Sequence, residues 1–250
     1  MFDFVNTADV KQYKSFCADK LNQLKNILSN EYGLECSVCL IGSGAKNLVT
    51  QNANEPFDLD YNLIIHSLAR DWNPNESENK KWLKDTIRKE LNKLLGKKFR
   101  DAQDSTSVLT ARFIDNGKRL FSFDLAIIIK NCQEKYFRLI HDKDNDCFYW
   151  NEVPYSLDVE EKVTELKENG WWQDVRDVYL EKKNMYLTRN DTLHPSFIVY
   201  VESVNQVFNE FENYCKENNL GEKFICPYCG AEKDSEDEIC PVCNDDDDDD

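Results

Sequence analysis

The sequence predicts an α+β fold: a mixed sheet with flanking helices, then a helical second half, then a small cysteine-rich module. Three observations carry this. Up to Trp150, short apolar and alternating runs are interleaved with stretches of helical periodicity. From Leu157 to Phe211 the apolar spacing is helical throughout. Two Cys-x-x-Cys pairs then follow within 18 residues, Cys226 to Cys243. The expected division is residues 1–150, 151–217, 218–244 and a short acidic tail at 245–250.

At 250 residues the chain has room for one sizeable core or two modest ones. Its formal net charge is −16, of which the run Asp245–Asp250 supplies six. Such a balance argues against a broad, non-specific duplex-binding surface, since phosphate contacts need Lys and Arg, and leaves room for a local basic channel. Between Lys80 and Arg100 cations are frequent, and the expectation for most of them is a solvated helix face. The start, Met1-Phe-Asp-Phe, lacks the basic and apolar segments of a secretion signal, and no run of 18 apolar residues exists. Ten cysteines, four of them in a metal pattern and the rest in scattered apolar contexts, fit a reducing, cytoplasmic setting.

In chain order, Val10, Tyr13, Phe16, Cys17, Leu21, Leu24 and Leu28 recur at three and four, which predicts a helix over 9–30. Thr7 or Asp9 is the expected cap and Gly33 the exit. Residues 36–41 read as a strand. Cys36 and Cys39 have the gap of a metal knuckle, but positions three apart on a strand face opposite sides, so they read as buried thiols. A polar loop is expected at 71–79 and a helix over 82–95, ending at Gly96. Val108–Phe113 and Leu120–Ile129 read as strands joined by Asp115-Asn116-Gly117, a strong hairpin turn. Asp104-Ser-Thr-Ser107 reads as a polar strand entry. A second hairpin is expected from Tyr136–His141 and Cys147–Trp150. Helices follow at 157–169, from Trp171-Trp172 to Leu187, and from Pro195-Ser196 to Phe211, Pro195 suiting a first helical turn.

The chemistry concentrates in two stretches. Val38–Ile41 is an apolar run that breaks at Gly42-Ser43-Gly44, as a strand does on entering a helix. Such a turn points backbone N–H groups at an incoming anion, and Lys46 lies close by. Asp58 and Asp60 follow in a run ending Leu63-Ile64-Ile65. Residues i and i+2 of a strand share a face, so both carboxylates point the same way. They repel unless a hard cation such as Mg²⁺ sits between them. Asp124 interrupts an apolar strand, where an unpaired carboxylate would cost several kcal/mol. A cation shared with Asp58 and Asp60 would offset that cost.

A Gly-Ser turn, Asp58-Leu59-Asp60 on the next strand and Phe123-Asp124-Leu125 on a later one resemble the DNA polymerase beta-like nucleotidyltransferases. The helical half resembles the template-independent members, which include oligoadenylate and cyclic-dinucleotide synthases. The resemblance implies a nucleotidyltransferase-type sheet and transfer of a nucleoside monophosphate from a triphosphate to an acceptor hydroxyl. It also implies Mg²⁺ or Mn²⁺ on the three acids, phosphates on Gly42, Ser43 and Lys46, and triphosphate contacts from Ser196 and Lys183, for which Lys182 is an equal candidate on sequence alone. Phe197 stands where those families usually carry Tyr. The spacing from Ser43 to Asp58 is long for the family, which implies an extended loop at 51–55. An alternative is a non-catalytic relative that senses nucleotides or docks partners. The acceptor is open, whether nucleotide, RNA, protein or small molecule. His66, His141 and His194 lack partners at ligand spacing and are assigned no chemistry.

Cys226, Cys229, Cys240 and Cys243 form two knuckles that place four thiolates for tetrahedral Zn²⁺, and Gly230 suits the tight turn. The module resembles a zinc ribbon, too short to build a core without its metal. Its acidic residues point to protein docking or a structural role rather than nucleic acid.

Overall fold

The computed structural model describes residues 1–67, 76–131, 133–153, 157–191, 193–218, 224–225 and 232–233. The chain runs β1 (Phe2–Phe4), α1 (Thr7–Tyr32), β2 (Glu35–Ile41), α2 (Gly42–Lys46), β3 (Thr50–Asn52), β4 (Phe57–Ser67) and α3 (Ser77–Leu95). The sheet is completed by β5 (Phe99–Asp104), β6 (Leu109–Asp115), β7 (Lys118–Lys130), β8 (Tyr136–Asp142) and β9 (Cys147–Glu152). Then come α4 (Leu157–Glu168), α5 (Trp172–Thr188), α6 (Ser196–Glu217) and the two-residue strands β10 (Phe224–Ile225) and β11 (Glu232–Lys233).

Seven strands form one mixed sheet in the order β2-β4-β7-β6-β5, with β8 pairing the far end of β7 and β9 outside it. The pair β4–β7 is parallel and the others are antiparallel. Asp115 pairs with Lys118 across a two-residue turn whose Asn116 and Gly117 both have positive φ, 49° and 77°. That is the conformation for which Asn-Gly is suited.

Alternation on β4 and β7 fixes which face is core. Phe57, Leu59, Tyr61, Leu63 and Ile65 are buried with Phe121, Phe123, Leu125 and Ile127. Leu21, Leu24 and Leu28 of α1 and Leu83, Ile87 and Leu91 of α3 join them in one cluster. Aromatic rings fill its centre: Tyr13 lies 4.2 Å from Phe121 between ring centroids, and Phe99 packs edge-on to Phe121 at 6.0 Å. The even-numbered residues, including Asp58, Asp60 and Asp124, are left on the opposite face. A second cluster unites α4, α5 and α6 through Val163, Leu166, Val175, Tyr179, Val204 and Val207, and Leu48 belongs to it. The stretch between α2 and β3 thus joins the two halves.

Several expectations need correction. Asn6, rather than Thr7 or Asp9, caps α1, its side chain accepting from Ala8 N at 2.8 Å. Helix α3 begins at Ser77, so the end of the expected 71–79 loop is helical; residues 68–75 lie outside the described set. Strands β1, β3 and β5 were not expected, and two residues of the supposed 51–55 loop, Gln51 and Asn52, pair with β1. Lys80 and Lys84 are buried. Lys84 is 2% exposed and meets Asp104 Oδ1 at 2.6 Å, an ion pair that His141 Nδ1 extends at 2.7 Å to Asp104 Oδ2. This triad of α3, β5 and β8 is what the polar turn after Asp104 provides. Cys36 is buried, with its thiol pushed up to about 11 by desolvation, and Cys39 is half-buried; both are free.

Candidate active site

Pairing register gathers the three acids. Asp60 lies opposite Asp124 in the parallel β4–β7 ladder, and Asp58 lies opposite Ser122. Adjacent strands are about 4.8 Å apart, so Asp60 and Asp124 are immediate neighbours on one face. Ser122 Oγ donates to Asp58 Oδ1, and Thr110, opposite Asp124 on β6, hydrogen-bonds the Asp124 carboxylate. Asp124 Oδ1 is buried with no hydrogen-bond partner.

The electrostatics follow from that crowding. Burial pushes the Asp60 carboxyl up to about 6, and the charges of Asp124 and Asp58 add to the rise. Only the Arg138 guanidinium pulls against it. Asp124 is also raised, mainly by burial and further by Asp58, while Thr110 and Arg112 act the other way. The face is therefore short of positive charge. As they stand Asp58 and Asp124 are turned to the hydroxyls of Ser122 and Thr110, and among the described residues no three of His, Cys, Asp and Glu are gathered into a ready ligand set. The donor set nevertheless fits a hard divalent cation. It offers clustered carboxylate oxygens, one of them buried without a partner, and a surplus of negative charge.

Gly42 closes the acid face from above. Its φ is +60°, and a Cβ there would come within 2.7 Å of Asp60 Oδ2. No side chain fits between the turn and the carboxylate. Gly44 is buried for a different reason: a Cβ would meet Leu40 Cδ1 at 2.9 Å and Leu59 Cδ2 at 3.3 Å. The helix that follows has five residues, so its dipole is small, and what the turn offers is chiefly its backbone N–H groups.

Opposite the acids stands a cationic and aromatic wall from the helical half. Lys183 on α5 donates to Thr50 Oγ1 at 2.9 Å and to Ser196 Oγ at 3.3 Å. Burial lowers its pKa, and among the described residues no carboxylate forms an ion pair with it. The Tyr179 hydroxyl shares the Ser196 side chain. Phe197, 59% exposed, flanks this group at the start of α6. Lys46 has a partner of its own: its Nζ meets Glu160 Oε1 at 3.1 Å and lies 4.6 Å from the centre of the Tyr200 ring. Its charge is largely balanced within the protein.

Gly42, Ser43, Lys46, Asp58, Asp60, Asp124, Lys183 and Ser196 all line one cleft of about 910 Å³, between the sheet and the helical half. Among the lining residues that carried no expectation of a role in the site are Phe2, Thr50, Arg119, Tyr179 and Tyr200. Arg119 is exposed at the mouth, with no ion pair among the described residues. Ser122 could have been found from sequence, being two residues before Asp124 on the same face. Phe2 and Thr50 could not, because they reach the cleft through the non-local pairing of β1 with β3, Phe2 opposite Asn52 and Phe4 opposite Thr50. Of the histidines, His66 meets Ser37 Oγ at 2.8 Å and His194 meets Asp191 Oδ2 at 2.9 Å, both away from the acids. Cys226, Cys229, Cys240 and Cys243 lie outside the described residues. No helix among the described residues is long and apolar enough to cross a membrane.

No family model and no curated protein matches the chain. Solved structures do. Escherichia coli CdnC with ATP aligns with a TM-score of 0.51 at 14% identity, covering 90% of this chain and 72% of that one. The CdnC:HORMA-deltaN complex gives 0.51 at 13%, covering 91% and 71%. Elizabethkingia meningoseptica CdnE cyclic dinucleotide synthase, solved with GTP and Apcpp, gives 0.47 at 11%, covering 81% and 78%.

Proposed function

We propose that the cleft binds a nucleoside triphosphate and transfers its nucleoside monophosphate to an acceptor hydroxyl, as an oligonucleotide or cyclic-nucleotide synthase would. The observation that carries this reading is the cleft's division of charge. Crowded, partly desolvated carboxylates face an ammonium group that has no carboxylate of its own. A polyphosphate with its divalent cation complements both sides. CdnC, whose fold this chain shares, was solved with ATP, which agrees with that choice.

Asp58, Asp60 and Asp124 would hold Mg²⁺ or Mn²⁺, which supplies the charge that stabilises the α-phosphoryl transition state and the departing pyrophosphate. The backbone N–H groups at Gly42-Ser43 bind phosphate oxygens, and Lys183, oriented by Thr50 and Ser196, supplies a counter-charge from the other wall. Phe197 offers a ring face to the base. Asp124, its pKa raised by burial, accepts the proton of the acceptor hydroxyl as that oxygen bonds to the α-phosphorus. The bond from α-phosphorus to the bridging oxygen breaks and pyrophosphate leaves. The catalytic unit in this reading is residues 1–150, with 151–217 as the triphosphate-facing wall, acting in the cytoplasm. Calorimetric titration with Mg²⁺ tests it. Triphosphates should bind at least roughly tenfold more tightly than the matching monophosphates, and equal affinities would overturn it.

The same proposal assigns structural Zn²⁺ to Cys226, Cys229, Cys240 and Cys243 in residues 218–244, with docking of a protein partner as its use. In support, β10 pairs antiparallel with β11 and sets Ile225 opposite Glu232, bracketing the first knuckle. Elemental analysis should find one zinc per chain, lost in Cys226→Ser. A chelator should expose residues 218–244 to protease while leaving the main melting transition unmoved. A metal-free protein with a protected C-terminus would contradict it.

A further inference from the structure

Lys183 is held in place by a segment from the far end of the chain. Asn184, the next residue on α5, grips the backbone of Phe2 from both sides. Its Oδ1 accepts from Phe2 N at 2.6 Å, and its Nδ2 donates to Phe2 O at 3.0 Å. On its other edge β1 pairs with β3 in the register Phe2↔Asn52, Asp3↔Gln51 and Phe4↔Thr50. Two turns earlier on α5, the Arg176 guanidinium lies 4.2 Å from the centre of the Phe4 ring and donates to Asn47 O. The strand is thus fastened to the helical half at two points and to the sheet half along its length.

The consequence falls on the ammonium group. Lys183 Nζ lies 4.3 Å from the centre of the Phe2 ring and donates to Thr50 Oγ1 and Ser196 Oγ. A ring face and two hydroxyl oxygens orient a cation without neutralising it, whereas a carboxylate would do both. Lysine loses considerable rotamer freedom when fixed, and a site that fixes it beforehand spares the ligand that cost. Phe2 itself is half-buried and lines the cleft, where its ring face meets Lys183.

We propose that Phe2, clamped by Asn184, is a positioning residue that pre-orients Lys183 for the triphosphate through its ring face. This rests on the reading of Lys183 as a phosphate ligand. The test is titration of the full chain with the α,β-methylene analogues of ATP, CTP, GTP and UTP in Mg²⁺. The variants are Lys183→Ala, Phe2→Ala, Phe2→Leu and Phe2→Tyr. Lys183→Ala and Phe2→Ala should each raise Kd roughly tenfold, the scale of a partly desolvated cation–π contact. The double variant should be no weaker than Lys183→Ala alone, since Phe2 acts through that lysine. Phe2→Tyr, which keeps the ring face, should bind like the wild type. Phe2→Leu, which keeps apolar packing only, should bind like Phe2→Ala. If Phe2→Leu binds like the wild type while Lys183→Ala binds weakly, Phe2 merely packs and the inference fails. If Lys183→Ala binds normally, the phosphate assignment of Lys183 fails and takes the inference with it. Should Phe2→Ala not fold, the Leu and Tyr variants decide the question.

Discussion

Asp60→Asn should make the metal-free protein more stable and the enzyme inactive. The two effects have one cause. In the folded chain the Asp60 carboxyl titrates at about 6 instead of 3.8, because ionisation is opposed by burial and by Asp124 and Asp58. A raised carboxyl pKa destabilises the fold wherever the unfolded chain has already lost its proton. The penalty is absent below pH 3.8, grows as pH rises from 3.8 to about 6, and is complete above that. Discounted for residual exposure, the shift corresponds to about 1–2 kcal/mol near neutral pH. Asparagine keeps the shape and removes the charge, so Tm in a metal-free buffer at pH 7.5 should rise by about 2–8 °C. At pH 4 the two proteins should melt nearly together. Adding Mg²⁺ should stabilise the wild type by mass action and move the variant little. Transfer should fall by roughly a thousandfold or more, the scale expected when a metal-holding carboxylate is lost. A variant that melts lower than wild type in metal-free buffer would show Asp60 to be a structural charge.

Gly42→Ala should be the most damaging of the small changes. At φ +60° a Cβ costs about 1–2 kcal/mol in backbone strain. The same Cβ would stand 2.7 Å from Asp60 Oδ2, which is the end of a movable side chain. The carboxylate therefore swings away, and the alanine variant loses Asp60 geometry as well as stability. Activity should drop roughly a hundredfold, as misplacing a reacting group by an ångström does. Gly44→Ala is the control. Its Cβ would press on Leu40 and Leu59, so it should lower Tm by a comparable amount while sparing more of the activity. Parallel kinetics and melts of the two variants measure this. Equal kcat losses would mean that Gly42 matters only for folding.

Much of this site could be read from the sequence because its parts are local. Asp58 and Asp60 share a face by strand periodicity alone. Asp124 stands out as a charge in an apolar strand, and Asn116-Gly117 announces the hairpin that carries it. Parallel pairing then puts Asp60 beside Asp124, a fact that depends on register and so needs the fold. What stayed hidden was non-local or too short for a pattern. The strands β1 and β3 have three residues each, and Phe2 is brought to Lys183 by its pairing with β3 and by Asn184, 182 residues away. Lys84 looked like one of many helix-surface lysines, and only its ion pair with Asp104 shows why α3 buries it. Lys46 lines the cleft, and its ion pair with Glu160, from the other half of the chain, was equally hidden.

The measurement that bears most directly on this account is release of pyrophosphate from ATP, CTP, GTP and UTP, each with Mg²⁺ or Mn²⁺. Wild type and Asp60→Asn would be run side by side, singly, in mixtures and with added oligonucleotide, and the products weighed by mass spectrometry. The account predicts divalent-dependent pyrophosphate from the wild type, a product heavier by one nucleoside monophosphate per transfer, and neither from the variant. Pyrophosphate release equal in both proteins, or none from a wild type that demonstrably binds the triphosphates, would contradict it.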